Sequence, residues 1–135
     1  MREAVVVSTA RTGIGRAFRG SLNNIKSPTM LGHVISHAVQ RAGIDAAEIE
    51  DVVMGTVLTT GTASMNLARN AALAAGLPVT VPGQTVDRQC ASGLMAIATA
   101  AKQVMVDGMD VVVAGGQDNI SCLLYTSPSP RDQRG

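Results

Sequence analysis

The stretch Gly83-Gln84-Thr85-Val86-Asp87-Arg88-Gln89-Cys90-Ala91-Ser92-Gly93-Leu94-Met95-Ala96 decides how the chain is read. Gly83 to Val86 has the look of a short strand. Followed onward, that strand extends to Gln89, directly before the cysteine. From Ala91 to Val106 the residues are apolar and good helix formers, so a long helix is expected there. Cys90 therefore falls where a strand hands over to a helix. A helix start carries the positive end of the helix dipole and backbone N–H groups without intrahelical partners. That setting makes a thiol a competent nucleophile and offers donors to an oxyanion beside it. A cysteine among small residues is equally at home as a core residue. Gly93 tips the balance, because glycine weakens a helix and its use in the first turn suggests a close approach to the backbone.

Working outward, the same alternation repeats. Ala4-Val5-Val6-Val7 is a continuous apolar run of the kind found in a strand buried on both faces. Ser8 to Ser27 is polar and Gly-, Arg- and Asn-bearing, and reads as a loop. Ser27 reads as an N-cap with Pro28 at the first helical position, and Gly43 as the C-cap. Between them, Leu31, Val34, Ile35, Ala38, Val39 and Ala42 recur at helical spacing. Asp51 to Gly55 is a second strand. Ser64 is expected to cap a helix running to Ala75, stopped by Gly76-Leu77-Pro78. Val111 to Ala114 is a last buried strand, ending in Gly115-Gly116. Strands alternating with helices predict an α/β sheet with right-handed crossovers. In the helix after Cys90, Leu94, Ile97, Ala98, Ala101, Val104 and Met105 form an apolar stripe. Ala96 and Ala100 leave the other side nearly apolar too, so the whole helix is expected to be buried.

Composition removes several function classes. The chain has 135 residues, enough for one domain with a real core, and 46% of them are hydrophobic. One Phe and one Tyr cannot make an aromatic core, so small residues must pack helices tightly on the sheet. A net charge of +1 points to neither nucleic acid nor an anionic membrane surface as partner. The apolar runs are too short to span a bilayer, and no leader precedes Ala4. Cys90 and Cys122 show no metal spacing and no disulfide framework, so a reducing cytoplasm is the expected compartment. His33 and His37 share a helical face at metal-binding spacing, but a third ligand is lacking and a solvated face is the better reading. Arg11-Thr12-Gly13-Ile14-Gly15 invites a dinucleotide reading, which fails because Phe18 stands where the third glycine belongs. Arg16, Arg19 and Lys26 could meet phosphates, though a solvated loop is the better reading of them.

Cys90 with Ser92-Gly93-Leu94 resembles the acyl-thiol nucleophile motif of the thiolase family, the acetyl-CoA acetyltransferases and 3-ketoacyl-CoA thiolases. Other segments resemble that family in the same order: Arg11-Thr12-Gly13-Ile14-Gly15, Met54-Gly55-Thr56-Val57-Leu58, Asn66-Leu67-Ala68-Arg69 and Ala114-Gly115-Gly116-Gln117-Asp118. Asp87 stands where the family usually has Asn, and Ala63, Met65 and Leu67 also depart from its pattern, so no role is carried to those positions.

The resemblance implies a thiolase-like α/β fold. Residues 1–122 would be the N-terminal part of one αβα half, with the nucleophile on a buried middle-layer helix. It implies acyl transfer between the Cys90 sulfur and coenzyme A, with the Cys90 backbone N–H in the oxyanion hole. Acyl-CoA and coenzyme A are then substrates, without a bound cofactor, metal, nucleic acid or membrane, and a homodimer or homotetramer is expected. The family's Gly-His-Pro, Cys-x-Gly-Gly-Gly and Asn-Glu-Ala-Phe-like motifs do not occur in these residues, so this chain alone is expected to be inactive. A ketoacyl synthase-like condensing enzyme, or a non-catalytic lipid carrier or dimerisation fragment of the same superfamily, is the alternative. Residues 123–135, with Ser127-Pro128-Ser129-Pro130, fit no helix, strand or thiolase pattern and read as translated adapter DNA, or else as a disordered terminus.

Overall fold

The computed structural model describes residues 1–122. The tail assignment for residues 123–135 lies outside the described residues. Three parallel strands form the sheet: β1 (Asp51–Gly55), β2 (Gly83–Val86) and β3 (Val112–Gly116), in the order β2-β1-β3. The helices are α1 (Ser27–Ala42), α2 (Leu67–Ala74) and α3 (Ser92–Met105). Short 3₁₀ turns occupy Ala46–Glu48, Gly61–Ala63 and Ile120–Cys122.

β1 is the centre of the molecule, and every one of its residues is buried. Successive strand residues point to opposite faces, so Val52 and Met54 look one way and Val53 the other. Val52 and Met54 join Leu31 and Ile35 of α1 and Leu67, Ala68, Ala71 and Ala72 of α2 in the larger core. Val53 meets Ala96 and Ala100 of α3, with Val86, Val112 and Ala114 at the margin. The sheet is thus sandwiched between α1 and α2 on one side and α3 on the other. Small residues make this possible without aromatics: alanine faces let helix backbones lie close to the sheet.

Local signals account for most boundaries. Gly43 ends α1 in the left-handed conformation (φ 69°), its N–H bonded to the Gln40 carbonyl. At the other end α1 begins one residue earlier than expected. Lys26 is the N-cap, and Ser27 is buried inside the first turn, its N–H donating to Thr62 Oγ1 at 3.0 Å. The cap of α2 is also displaced, from Ser64 to Asn66, and the helix stops at Ala74. Asn66 does more than a serine could. Its Oδ1 accepts from the Arg69 N–H and the Thr85 hydroxyl, while Nδ2 donates to the Gly83 carbonyl. One side chain therefore caps α2 and ties it to β2.

The last strand, expected to be buried, is only half-buried, and two further expectations are overturned outright. Ala4 to Val7 is not a strand, and Val5, Val6 and Val7 are 73–76% exposed. Among the described residues the run has no ladder partner. It lies across a groove of about 860 Å³ whose other walls include Val111 to Gly116, α1 and α3. The second concerns α3. Its covered face is Ser92, Ala96, Ala100 and Gln103, whereas the larger stripe turns outward, with Leu94 72% and Ile97 47% exposed. The alanine side was selected by the sheet because only small residues allow the helix so near to β1 and β3.

Candidate active site

The three strands finish level. Gly55 lies opposite Val86 on one side and opposite Gly116 on the other. Ligands of open parallel sheets bind beyond these carboxyl ends, and here the turn bearing Cys90 crosses them. β2 ends at Val86, residues 87–91 form the turn, and α3 opens at Ser92 with Ala91 as its N-cap. Cys90 sits just before the cap, and it is a free, exposed cysteine.

Hydrogen bonds hold this turn from within. Asp87 Oδ1 accepts from the Gln89 N–H at 2.9 Å, an Asx turn. The Ala91 N–H donates to the Arg88 carbonyl at 3.0 Å and the Ser92 N–H to the Gln89 carbonyl at 3.1 Å. Neither bond draws on the Cys90 N–H. Ser92 is only 4% exposed. Its hydroxyl donates to the Gln89 carbonyl at 2.6 Å and accepts from the Arg88 N–H at 2.8 Å. It makes no bond to Cys90, so it latches the turn preceding α3. Between these bonds Gln89 is held at φ +51°, a left-handed conformation that costs a non-glycine residue about 1–2 kcal/mol.

From below, the ends of β1 and β3 meet the first residues of α3, directly after this turn. A Cβ at Gly55 would lie 2.3 Å from the Ser92 carbonyl carbon and oxygen, and 2.6 Å from the Gly93 nitrogen. A Cβ at Gly116 would come within 3.2 Å of the Gly93 Cα. The close approach expected at Gly93 is real, but the residues that need to be glycine for it are those on the strands. Nothing would meet a Cβ on Gly93 itself.

Next to Gly55, the β1 and β3 exits are clasped together. Asp118 Oδ1 accepts from the Thr56 hydroxyl at 3.0 Å, the Val57 N–H at 2.9 Å and the Leu58 N–H at 3.1 Å. The Gln117 N–H donates to the Gly55 carbonyl, and Gln117 Nε2 reaches Thr56 Oγ1 at 3.3 Å. Sequence reading singled out Ala114-Gly115-Gly116-Gln117-Asp118 only by its family resemblance, without seeing this clasp. The signal was present: an acidic residue after a strand exit can accept the free N–H groups of the neighbouring exit loop.

Other candidates separate from this site. His33 is exposed on α1, and its ring stands edge-on to that of His37 with centroids 4.4 Å apart. The described residues hold no group of three His, Cys, Asp or Glu side chains suited to a metal. Arg16, Arg19 and Lys26 are exposed. Cys122 belongs to the last 3₁₀ turn, away in sequence from the Cys90 turn. No helix among the described residues is long and apolar enough to cross a membrane.

A family model described as "Thiolase, N-terminal domain" matches residues 4–134. The acetyl-CoA acetyltransferase of Cupriavidus necator is 44% identical over 132 residues, which cover 98% of this chain and 33% of that protein. The 3-ketoacyl-CoA thiolase of Bacillus subtilis is 40% identical over 121 residues, covering 90% of this chain and 31% of that one. In three dimensions, the crystal structure of the Bacillus anthracis acetyl-CoA acetyltransferase matches with a TM-score of 0.80 and 41% identity. That match covers 86% of this chain and 29% of the other. The chain thus spans a third of the length of the curated relatives it matches. Its parallel α/β sheet, the turn crossing the strand ends and these matches agree, and the chain belongs to the thiolase family, within the N-terminal domain.

Proposed function

We propose that the protein to which these residues belong is an acyltransferase of the thiolase type, and that Cys90 is its nucleophile. The observation that carries the reading is the exposed Cys90 on a hydrogen-bonded turn across the strand ends, directly before α3. The names of the relatives, acetyl-CoA acetyltransferase and 3-ketoacyl-CoA thiolase, support coenzyme A thioesters as the substrates.

In the proposed reaction the Cys90 thiolate attacks the carbonyl carbon of an acyl-CoA or 3-ketoacyl-CoA. The Cys90 N–H, at the positive end of α3, is the donor proposed for the oxyanion. With a thioester, the carbon–sulfur bond to coenzyme A breaks and the coenzyme leaves as its thiolate. With a 3-ketoacyl chain, the carbon–carbon bond breaks and acetyl-CoA leaves as its enolate, which takes a proton. The acyl group on Cys90 then passes to coenzyme A, or to the enolate of acetyl-CoA in the reverse, condensing direction. Covalent catalysis of this kind gives ping-pong kinetics.

Proton transfer needs a general base, and the family's Gly-His-Pro and second-cysteine motifs do not occur in these 135 residues. Full turnover is therefore assigned to a longer protein, acting as a homodimer or homotetramer. No bound cofactor or metal takes part in this scheme. The test is to incubate that longer protein with radiolabelled acetyl-CoA and locate the label by peptide mass. Label on the Cys90 peptide, lost in Cys90→Ala, is expected. Label on another residue, with activity retained in Cys90→Ala, sinks the assignment.

A further inference from the structure

We propose that Ser92 is a positioning residue for Cys90, acting by holding Gln89 in its left-handed turn. The inference rests on Cys90 being an acyl-accepting nucleophile. Left to itself, a glutamine at φ +51° relaxes towards negative φ, because the Cβ of an L-residue crowds the following carbonyl oxygen there. The buried Ser92 hydroxyl opposes that relaxation at both ends. It accepts from the N–H of the residue before Gln89 and donates to the carbonyl of Gln89 itself. Both bonds must break if Gln89 rotates.

Ser92 is in turn buried against the central strand. Its own carbonyl abuts Gly55 at the end of β1, where even a methyl group would overlap it. The latch is thus anchored to the central strand through a contact independent of the turn's hydrogen bonds. Cys90 lies between the latched residue and the helix, so a rotation at Gln89 would swing the Cys90 N–H and its sulfur away from their place at the start of α3. A nucleophile displaced by an ångström loses about two orders of magnitude in rate, whereas its access to a small reagent is unchanged.

Two reactions of the same sulfur separate these effects. In exchange with phenyl thioacetate, the Cys90 sulfur bonds to the acetyl carbon, the carbon–sulfur bond to thiophenol breaks, and thiophenolate leaves with the electron pair. That step passes through an oxyanion and is sensitive to donor placement. Alkylation by iodoacetamide is a direct displacement of iodide and needs no oxyanion donor. The readout is the exchange rate divided by the alkylation rate at the Cys90 peptide, resolved from Cys122 by mass, in this chain and in the urea-unfolded chain.

The folded chain is expected to exceed the unfolded one by about tenfold in this ratio. Ser92→Ala is expected to remove most of that gain while Cys90 is still alkylated at a similar rate. The double variant Ser92→Ala with Gln89→Gly is expected to recover it, because glycine holds positive φ without a latch. That double variant also keeps the test decisive if Ser92→Ala alone folds poorly. A gain that survives in Ser92→Ala, or a glycine that fails to restore it, overturns the positioning role and leaves the nucleophile reading intact. A folded chain with no gain over the unfolded one also overturns the positioning role, while the nucleophile reading stands or falls on the labelling of the longer protein.

Discussion

Gly55 and Ser92 approach so closely that a methyl group on residue 55 would sit 2.3 Å from the Ser92 carbonyl carbon. The obstacle is backbone, which cannot rotate aside as a side chain can. Gly55→Ala must therefore lift the first turn of α3 or bend the end of β1. Overpacking of this kind costs about 1–3 kcal/mol. A urea titration followed by circular dichroism should show a lower midpoint with an unchanged slope. A midpoint within error of the original would mean that the contact is loose and the turn is not seated on β1.

The clasp at Asp118 makes a second case. One carboxylate oxygen serves the hydroxyl of Thr56, which is fully buried, and two backbone N–H groups. Asp118→Ala leaves those donors without their acceptor, at a cost of about 1–3 kcal/mol, reduced where water reaches the N–H groups. Asp118→Asn keeps an oxygen in place and should lose less than half as much. Equal losses in the two variants would show that charge, and not the position of an acceptor, holds the strand exits together.

Much of this architecture was legible in the sequence. Asp51 to Gly55 was read as a strand and is one, and Gly43 closes α1 as its position suggested. Cys90 was placed between strand and helix, where it lies. The same apolar-run logic failed at Ala4 to Val7, because such a run states only that a strand needs partners. For β1 the partners β2 and β3 are present, and for residues 4–7 no described strand is. On α3 both faces are apolar, so periodicity could not say which one meets the sheet. Packing distance decided in favour of the alanines. The left-handed turn at Gln89 carried no residue signal of its own, since Gly or Asn is the usual mark of such a position. Only Asp87, two residues earlier, hinted at it through the Asx turn.

These two valine-bearing runs predict opposite responses to mutation. Val53 is completely buried between β1's neighbours and α3, and Val6 is 76% exposed. Val53→Ala should cost roughly 1–3 kcal/mol from lost burial and a residual cavity. Val6→Asp, a far more drastic change in polarity, should stay within about 0.5 kcal/mol in this chain. Comparable destabilisation by both, measured by urea unfolding, would mean that residues 4–7 are packed in solution as the sequence first suggested.

Asn66 offers the sharpest separation of backbone from side-chain effects. It sits at φ +61°, caps α2 and bridges to β2 through Gly83 and Thr85. Asn66→Gly removes every side-chain bond but suits the left-handed backbone. Asn66→Ala removes the same bonds and adds the strain of a Cβ at positive φ, roughly a further 1 kcal/mol. Loss of the cap and bridge alone is worth about 1–2 kcal/mol. The expected order of stability is therefore Asn66, then Gly, then Ala, with α2 amides nearest Leu67 exchanging fastest in both variants. If Ala proved as stable as Gly, the left-handed geometry at residue 66 would be wrong, and with it the account of how α2 is joined to β2.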